Sequence, residues 1–245
     1  MKIHVFGDTG KEKIILLHPM FSSGREMYED FRDHFGNYCI IAPDISGYGE
    51  DRTEYVSAEK ESEFLKNYLL ENGFTDIKLL YGMSLGSRIA LELMNEEGLN
   101  FSLVYMDGVP AYRNSKSSRL YYVPMYLGKL ISRNKFVASI KDFFSKAGLL
   151  PKKILSYTRL SRQALGRMII DCSIFDFYEL SREQQERTVF DYGSAEFDLR
   201  CTEELKNNYP HSTYTVRDGY GHCQYARKNR HKFMSELKEH LRRHK

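Results

Sequence analysis

Three side chains far apart in the sequence have the types needed for acyl chemistry: Ser84, His222 and Glu196. Ser84 lies in Tyr81-Gly82-Met83-Ser84-Leu85-Gly86, directly after the apolar run Ile77 to Leu80. The stretch reads as a strand, a serine flanked by glycines, then a helix. That pattern holds a serine on a tight strand-to-helix turn with its hydroxyl projecting outward. Side chains at Gly82 or Gly86 would collide with the neighbouring helix or strand. The N-terminus of the helix would lie beneath the hydroxyl, and its positive dipole end suits a developing negative charge.

A serine is a poor nucleophile until a base takes its proton. His222, in Gly219-Tyr220-Gly221-His222, follows the last expected strand and precedes the last helix. It therefore sits on a loop at the C-terminal end of a strand, the edge where open α/β sheets bind ligands. His4 lies within a strand and His34 within a surface-type helix. His231, His240 and His244 fall on the C-terminal helix or tail. His18 precedes Pro19 in a loop and reads as loop-ordering. A third group should hold the imidazole tautomer and stabilise the imidazolium. Glu196 is the first choice, being nearer the end of the strand Val189-Phe190-Asp191-Tyr192. Asp198 is the alternative acid, with helix capping as its other role. Asp107, at the end of the preceding strand, is a third option. Backbone N–H groups of Leu85 and Met20 are the expected oxyanion donors, with Phe21 second to Met20, because Pro19 has no N–H.

The elements that must position these groups alternate. Lys2 to Phe6 and Lys13 to Leu17 are β-rich runs joined by Gly7-Asp8-Thr9-Gly10, which reads as a hairpin. Strands are expected at Tyr38 to Ala42, Ile77 to Tyr81, Phe101 to Met106, Thr188 to Tyr192 and Ser212 to Val216. Helices are expected at Ala58 to Leu70, Leu85 to Glu96, near Leu199 to Asn207, and from about Cys223 to Leu241. The succession implies an α/β fold, a mostly parallel sheet with helices on both faces. Between about Tyr112 and Glu186 the texture is helical and poor in strand signals. This block reads as an insertion between two strands of one sheet, which divides the chain into a core of residues 1–111 and 187–245 and a cap of 112–186.

A chain of 245 residues with 42% hydrophobic and 13% aromatic residues can bury one large core. The net charge of +3 is too small to point to nucleic acid. No apolar run has the length of a transmembrane segment. The N-terminus lacks the apolar region of a secretion signal. Cys39, Cys172, Cys201 and Cys223 are scattered, without a C-x-x-C pair, so reduced thiols in a cytoplasmic protein are expected.

Several stretches together resemble the α/β-hydrolase superfamily, in particular its lidded esterase- and lipase-like serine hydrolases. They are Leu17-His18-Pro19-Met20, Pro43-Asp44-Ile45-Ser46-Gly47-Tyr48-Gly49, Gly82-Met83-Ser84-Leu85-Gly86, Tyr192-Gly193-Ser194-Ala195-Glu196 and Gly221-His222. The resemblance covers roughly residues 12–110 and 188–242. The chain order Ser, acid, His is the order of that superfamily. Two departures stand out: Pro19 where glycine is usual, and Glu196 where aspartate is more frequent. The resemblance implies an eight-stranded, mostly parallel sheet with a helical cap. It also implies hydrolysis of a carboxylic ester, thioester or amide of a small or medium-sized molecule through an acyl-serine. That chemistry needs no metal and no organic cofactor. The same triad also serves acyl transfer, peracid formation and C–C bond hydrolysis, and a hydrolase-like scaffold can act as a ligand binder. The oligomeric state is not legible.

The insertion is basic. Between Arg113 and Arg167 its only acidic residue is Asp142, and apolar clusters at Leu120 to Leu127 and Phe143-Phe144 are interleaved with the cations. The charge reads either as the solvated outside of a helical cap or as a surface drawing an anionic substrate or lipid towards the mouth. In the second case turnover of charged esters falls steeply as salt is raised, while turnover of neutral esters hardly changes. An equal salt response of both ester classes favours the first.

Overall fold

The computed structural model describes residues 1–114, 116 and 160–243. Eight strands form one sheet: β1 (Lys2–Phe6), β2 (Lys13–Leu17), β3 (Cys39–Asp44), β4 (Asp76–Met83), β5 (Asn100–Phe101), β6 (Val104–Asp107), β7 (Thr188–Gly193) and β8 (Thr213–Arg217). The order across the sheet is β1-β3-β2-β4-β6-β7-β8, with β5 paired beside β4. All pairings are parallel except β1 with β3. β5 and β6 lie end to end along β4, so the single strand expected from Phe101 to Met106 is interrupted.

The hairpin expected between β1 and β2 does not form. β1 pairs antiparallel with β3, Lys2 opposite Asp44 and Phe6 opposite Ile40. β2 instead lies between β3 and β4, parallel to both. The physical reason is in its composition. Ile14 to Leu17 are fully buried, and such an unbroken apolar run needs cover on both faces. β1, partly exposed along its length, suits a sheet edge.

The side-chain alternation of the strands feeds two cores. Ile14 and Leu16 point to one face of the sheet, Ile15 and Leu17 to the other. The first face is covered by α1 (Gly24–Phe31) through Met27 and Phe31, and by α8 (Arg230–Arg243) through Phe233, Met234, Leu237 and Leu241. The second carries α2 (Ala58–Glu71), α3 (Leu85–Met94) and α6 (Thr202–Asn208), and α4 (Arg162–Asp171) joins the same apolar cluster. Each fully buried side chain of this size contributes about 1.5–3 kcal/mol. Serine side chains start three of these helices: Ser23, Ser57 and Ser161 each accept a backbone N–H of the first turn.

The C-terminal helix is broken in two, α7 (Gln224–Lys228) and α8, at Asn229. The helix expected near Leu199 starts as a 3-10 turn over Phe197–Cys201 before α6. β6 and β7 are parallel neighbours, Val104 opposite Thr188 and Asp107 opposite Asp191, so the chain between them is an inserted region. Its described part holds α4 and α5 (Arg182–Glu186). The Leu120 to Leu127 and Phe143-Phe144 clusters and most of the basic block lie outside the described residues.

α3 lies close against β2 because residue 86 is glycine. A Cβ there would come within 2.2 Å of the Leu17 carbonyl oxygen, a backbone atom that cannot swing aside. Gly86→Ala should therefore cost about 1–3 kcal/mol or more of stability, lowering the midpoint of thermal unfolding by several degrees. An unchanged midpoint would show that α3 and β2 can separate freely.

Candidate active site

Every group singled out in the sequence hangs from the C-terminal end of a strand: Ser84 after β4, Met20 after β2, Asp107 at the end of β6, Glu196 and Asp198 after β7, His222 after β8. Parallel pairing brings those ends to one rim of the sheet.

Ser84 occupies a strained conformation, φ 53 and ψ −116, in a region that non-glycine residues rarely enter. Such a residue costs of the order of 1–3 kcal/mol and persists only where its surroundings hold it. Its N–H donates to the Asp107 carbonyl (2.8 Å), and its own carbonyl accepts the Arg88 N–H (3.0 Å), as the first bond of α3. Gly82 allows the close return of the helix, since a Cβ there would meet Gly86 and Ser87 backbone atoms at 2.7 Å.

The Ser84 hydroxyl lies 2.8 Å from His222 Nε2. On the other side of the ring, Nδ1 is 3.3 Å from Glu196 Oε2 and 3.7 Å from Asp198 Oδ2. With the Nδ1 proton facing these carboxylates, Nε2 presents its lone pair to the serine O–H. Glu196 is 7% exposed, and neither of its oxygens receives a hydrogen bond from a described residue. Asp198, 3% exposed, accepts the Tyr112 phenol at 3.0 Å. Both acids named from the sequence thus face one ring nitrogen, Glu196 the nearer. Asp107 does not join them: its carboxylate accepts a long hydrogen bond from Tyr81 (3.4 Å).

Charge here is shaped by burial. Burial opposes protonation of His222, but Cys223, Glu196 and Asp198 beside it outweigh that and hold its pKa well above the ordinary value. The Cys223 thiol is itself pushed up to about 12 by burial, so it is uncharged at neutral pH and the carboxylates supply the field. Burial raises Asp198 to about 6, against the opposing pull of His222 and the Tyr112 hydrogen bond. Burial, with Asp191 adding to it, raises Asp107 to about 7.

On the β2 side, His18 is fully buried. Its Nδ1–H donates to the Pro19 carbonyl (2.8 Å) and its Nε2 accepts the Ile45 N–H (3.0 Å). Burial lowers its pKa to about 4, so it stays neutral and ties the 18–21 loop to the loop after β3. Phe21, at φ 64, has its backbone hydrogen-bonded to the Tyr48 phenol.

Sequence reasoning missed three contributors. The Asp107 carbonyl accepts from Ser84 N–H, from the Ser87 hydroxyl (3.1 Å) and from the Cys223 thiol (3.4 Å). Gly108 makes room for the His222 ring, since a Cβ would stand 2.8 Å from Nδ1 and Cε1. Tyr112 holds Asp198. The Asp107-Gly108 pair at a strand end was the one legible signal among them. Among the described residues no group of three or more His, Cys, Asp or Glu side chains is arranged to hold a metal ion, and no helix is long and apolar enough to cross a membrane.

No protein-family model and no curated protein matches the sequence. Solved structures do. A marine microorganism esterase is similar with a TM-score of 0.75 at 14% identity, over 97% of both chains. An α/β-hydrolase family protein from Desulfitobacterium hafniense gives 0.72 at 19% identity, over 98% of this chain and all of that one. An esterase from Exiguobacterium antarcticum gives 0.72 at 17% identity, over 98% of this chain and 94% of its own. At these identities the likeness speaks for architecture. The strand order, the antiparallel edge strand, the inserted region after β6 and these matches along nearly the whole chain establish that this protein has the α/β-hydrolase fold.

Proposed function

We propose that the protein is a serine hydrolase that cleaves a carboxylic ester, thioester or amide of a small or medium-sized molecule through an acyl-serine intermediate. The observation that carries this reading is the 2.8 Å contact between Ser84 Oγ and His222 Nε2, on a strained strand-to-helix turn. Ser84 attacks the carbonyl carbon while His222 takes its proton. The imidazolium gains stability from Glu196, the nearer acid, and then protonates the leaving group. Water, deprotonated by the same imidazole, releases the acid and restores Ser84. The N–H groups of Leu85 and Met20 receive the oxyanion, and the engagement of the Phe21 backbone with Tyr48 favours Met20 over its neighbour. The block of residues 112–186 is read as a cap domain, and the substrate as a small molecule. Two of the similar structures are esterases, which agrees with this chemistry. Four buried cysteines, none in a disulfide, fit a reducing compartment such as the cytoplasm.

A fluorophosphonate probe tests the reading. Wild-type protein should be labelled covalently, and Ser84→Ala should abolish labelling and ester turnover while leaving the circular dichroism unchanged. A folded wild type that resists the probe is a binder rather than an enzyme. His222→Ala should remove nearly all turnover. Glu196→Gln should lower kcat by roughly 10³–10⁴-fold, by analogy with the misoriented imidazole of serine proteases, and Asp198→Asn far less. The reverse ranking would make Asp198 the acid.

The pH dependence has a sign. The base must be neutral to accept the serine proton, and its pKa is raised, so activity is lost as pH falls through that raised value. The acid limb of kcat/KM should then have its midpoint above the ordinary histidine value of 6.5. A midpoint below it would mean that the carboxylates do not hold the imidazolium.

A further inference from the structure

Tyr112 lies where the chain leaves the core for the inserted region, and it is 8% exposed. Its phenol donates to Asp198 Oδ1 at 3.0 Å. The other oxygen of that carboxylate, Oδ2, is the one 3.7 Å from His222 Nδ1. The ring also leans on Phe197, the residue between the two acids, with centroids 6.3 Å apart. Its carbonyl accepts the N–H of Phe175, on the return limb of the insertion. One residue thus touches the acid loop, the outgoing chain and the returning chain.

The two acids are held unequally. Glu196 is nearer to the imidazole, 3.3 Å from Nδ1, and takes no hydrogen bond from any other described residue. Asp198 is further from the ring but anchored. The Tyr112 phenol stabilises the ionised form of Asp198 against the burial that raises its pKa.

We propose that Tyr112 is a positioning residue of the site, whose phenol holds Asp198 as a second carboxylate against the His222 imidazole, alongside Glu196. This rests on the reading of Ser84 and His222 as nucleophile and base. The imidazolium formed during acylation is then stabilised by two carboxylates, one of them set by the stem of the inserted region. The groups facing His222 are Glu196 and Asp198 from the loop after β7, Asp107 from the end of β6, Ser84 from the elbow and the adjacent Cys223 thiol. Those facing Asp198 are Tyr112, Cys201, Glu196 and His222.

The test is a cycle of Tyr112→Phe, Asp198→Asn and the double variant, read by the second-order rate of Ser84 labelling with a fluorophosphonate across pH. Removing the phenol leaves Asp198 harder to ionise, so the imidazolium loses a charged neighbour. Tyr112→Phe should slow labelling about tenfold on the plateau above the acid limb, the loss expected for a hydrogen bond to a charged group. Its acid limb should move to lower pH. Asp198→Asn should do the same, and adding Tyr112→Phe to Asp198→Asn should change the rate less than about twofold, since the phenol acts through that carboxylate. A Tyr112→Phe protein that melts earlier but labels at the wild-type rate with the wild-type limb overturns the proposal, as does an equal cost of Tyr112→Phe in both backgrounds. Should Tyr112→Phe fail to fold, Asp198→Asn decides alone: slowed labelling with a shifted limb supports the second carboxylate, and wild-type behaviour refutes it. Failure of the wild type to label at Ser84 would instead refute the serine hydrolase reading, and the proposal with it.

Discussion

The geometry of the site depends on one carbonyl oxygen, that of Asp107. It accepts the N–H of Ser84, the hydroxyl of Ser87 and the thiol of Cys223. These three donors belong to the elbow, the first turn of α3 and the loop carrying His222. Ser84 and His222 are separated by 138 positions in the chain, yet both are referred to this single acceptor. A backbone carbonyl at the end of an inner strand moves little, so it fixes the hydroxyl and the imidazole relative to each other. The strain at Ser84 is tolerable because of it. Without the Asp107 bond the residue would have one fewer restraint against relaxing out of its unfavourable backbone region.

The electrostatics follow from the same crowding. Parallel strands deliver several carboxylates to one rim, and the pairing register sets Asp107 beside Asp191. Asp191 is neutralised by Arg217, whose Nε lies 3.0 Å from both of its oxygens, and by the Tyr105 hydroxyl. Asp107 has no such cation and rises to about 7. Glu196 and Asp198 turn instead to the one imidazole within reach. His18, fully buried with both ring nitrogens committed, adds no charge to the β2 side of the rim. Excess negative charge is thereby confined to the side of the imidazole where a proton must be held.

Most of this arrangement was legible in the sequence because it is carried by local pattern. Apolar runs followed by glycine and a reactive side chain mark strand ends, and the rule that ligands gather at such ends needs no coordinates. The failures were non-local. Gly7 to Gly10 is turn-forming, yet the buried run Ile14 to Leu17 drew β2 into the sheet interior and left β1 to pair with β3. Local turn chemistry lost to the need to cover two faces. Asn229 split the last helix although the apolar period runs through it. The choice between Glu196 and Asp198 could not be made from spacing, since two residues on an irregular loop can face one atom. The parts played by Gly108 and Tyr112 depend on where His222 and Asp198 come to rest, which no short motif records.

The strand that delivers His222 lies at an edge of the sheet. β8 pairs only with β7, its residues are half-buried or exposed, and Val216 is 51% exposed. Edge elements with sparse burial open at lower free energy than the centre of a sheet. Fraying of this border carries the imidazole away from the hydroxyl while the remaining strands stay paired. On the serine hydrolase reading, warming therefore silences the protein before it unravels, and the lost turnover returns on cooling as long as the interior has held.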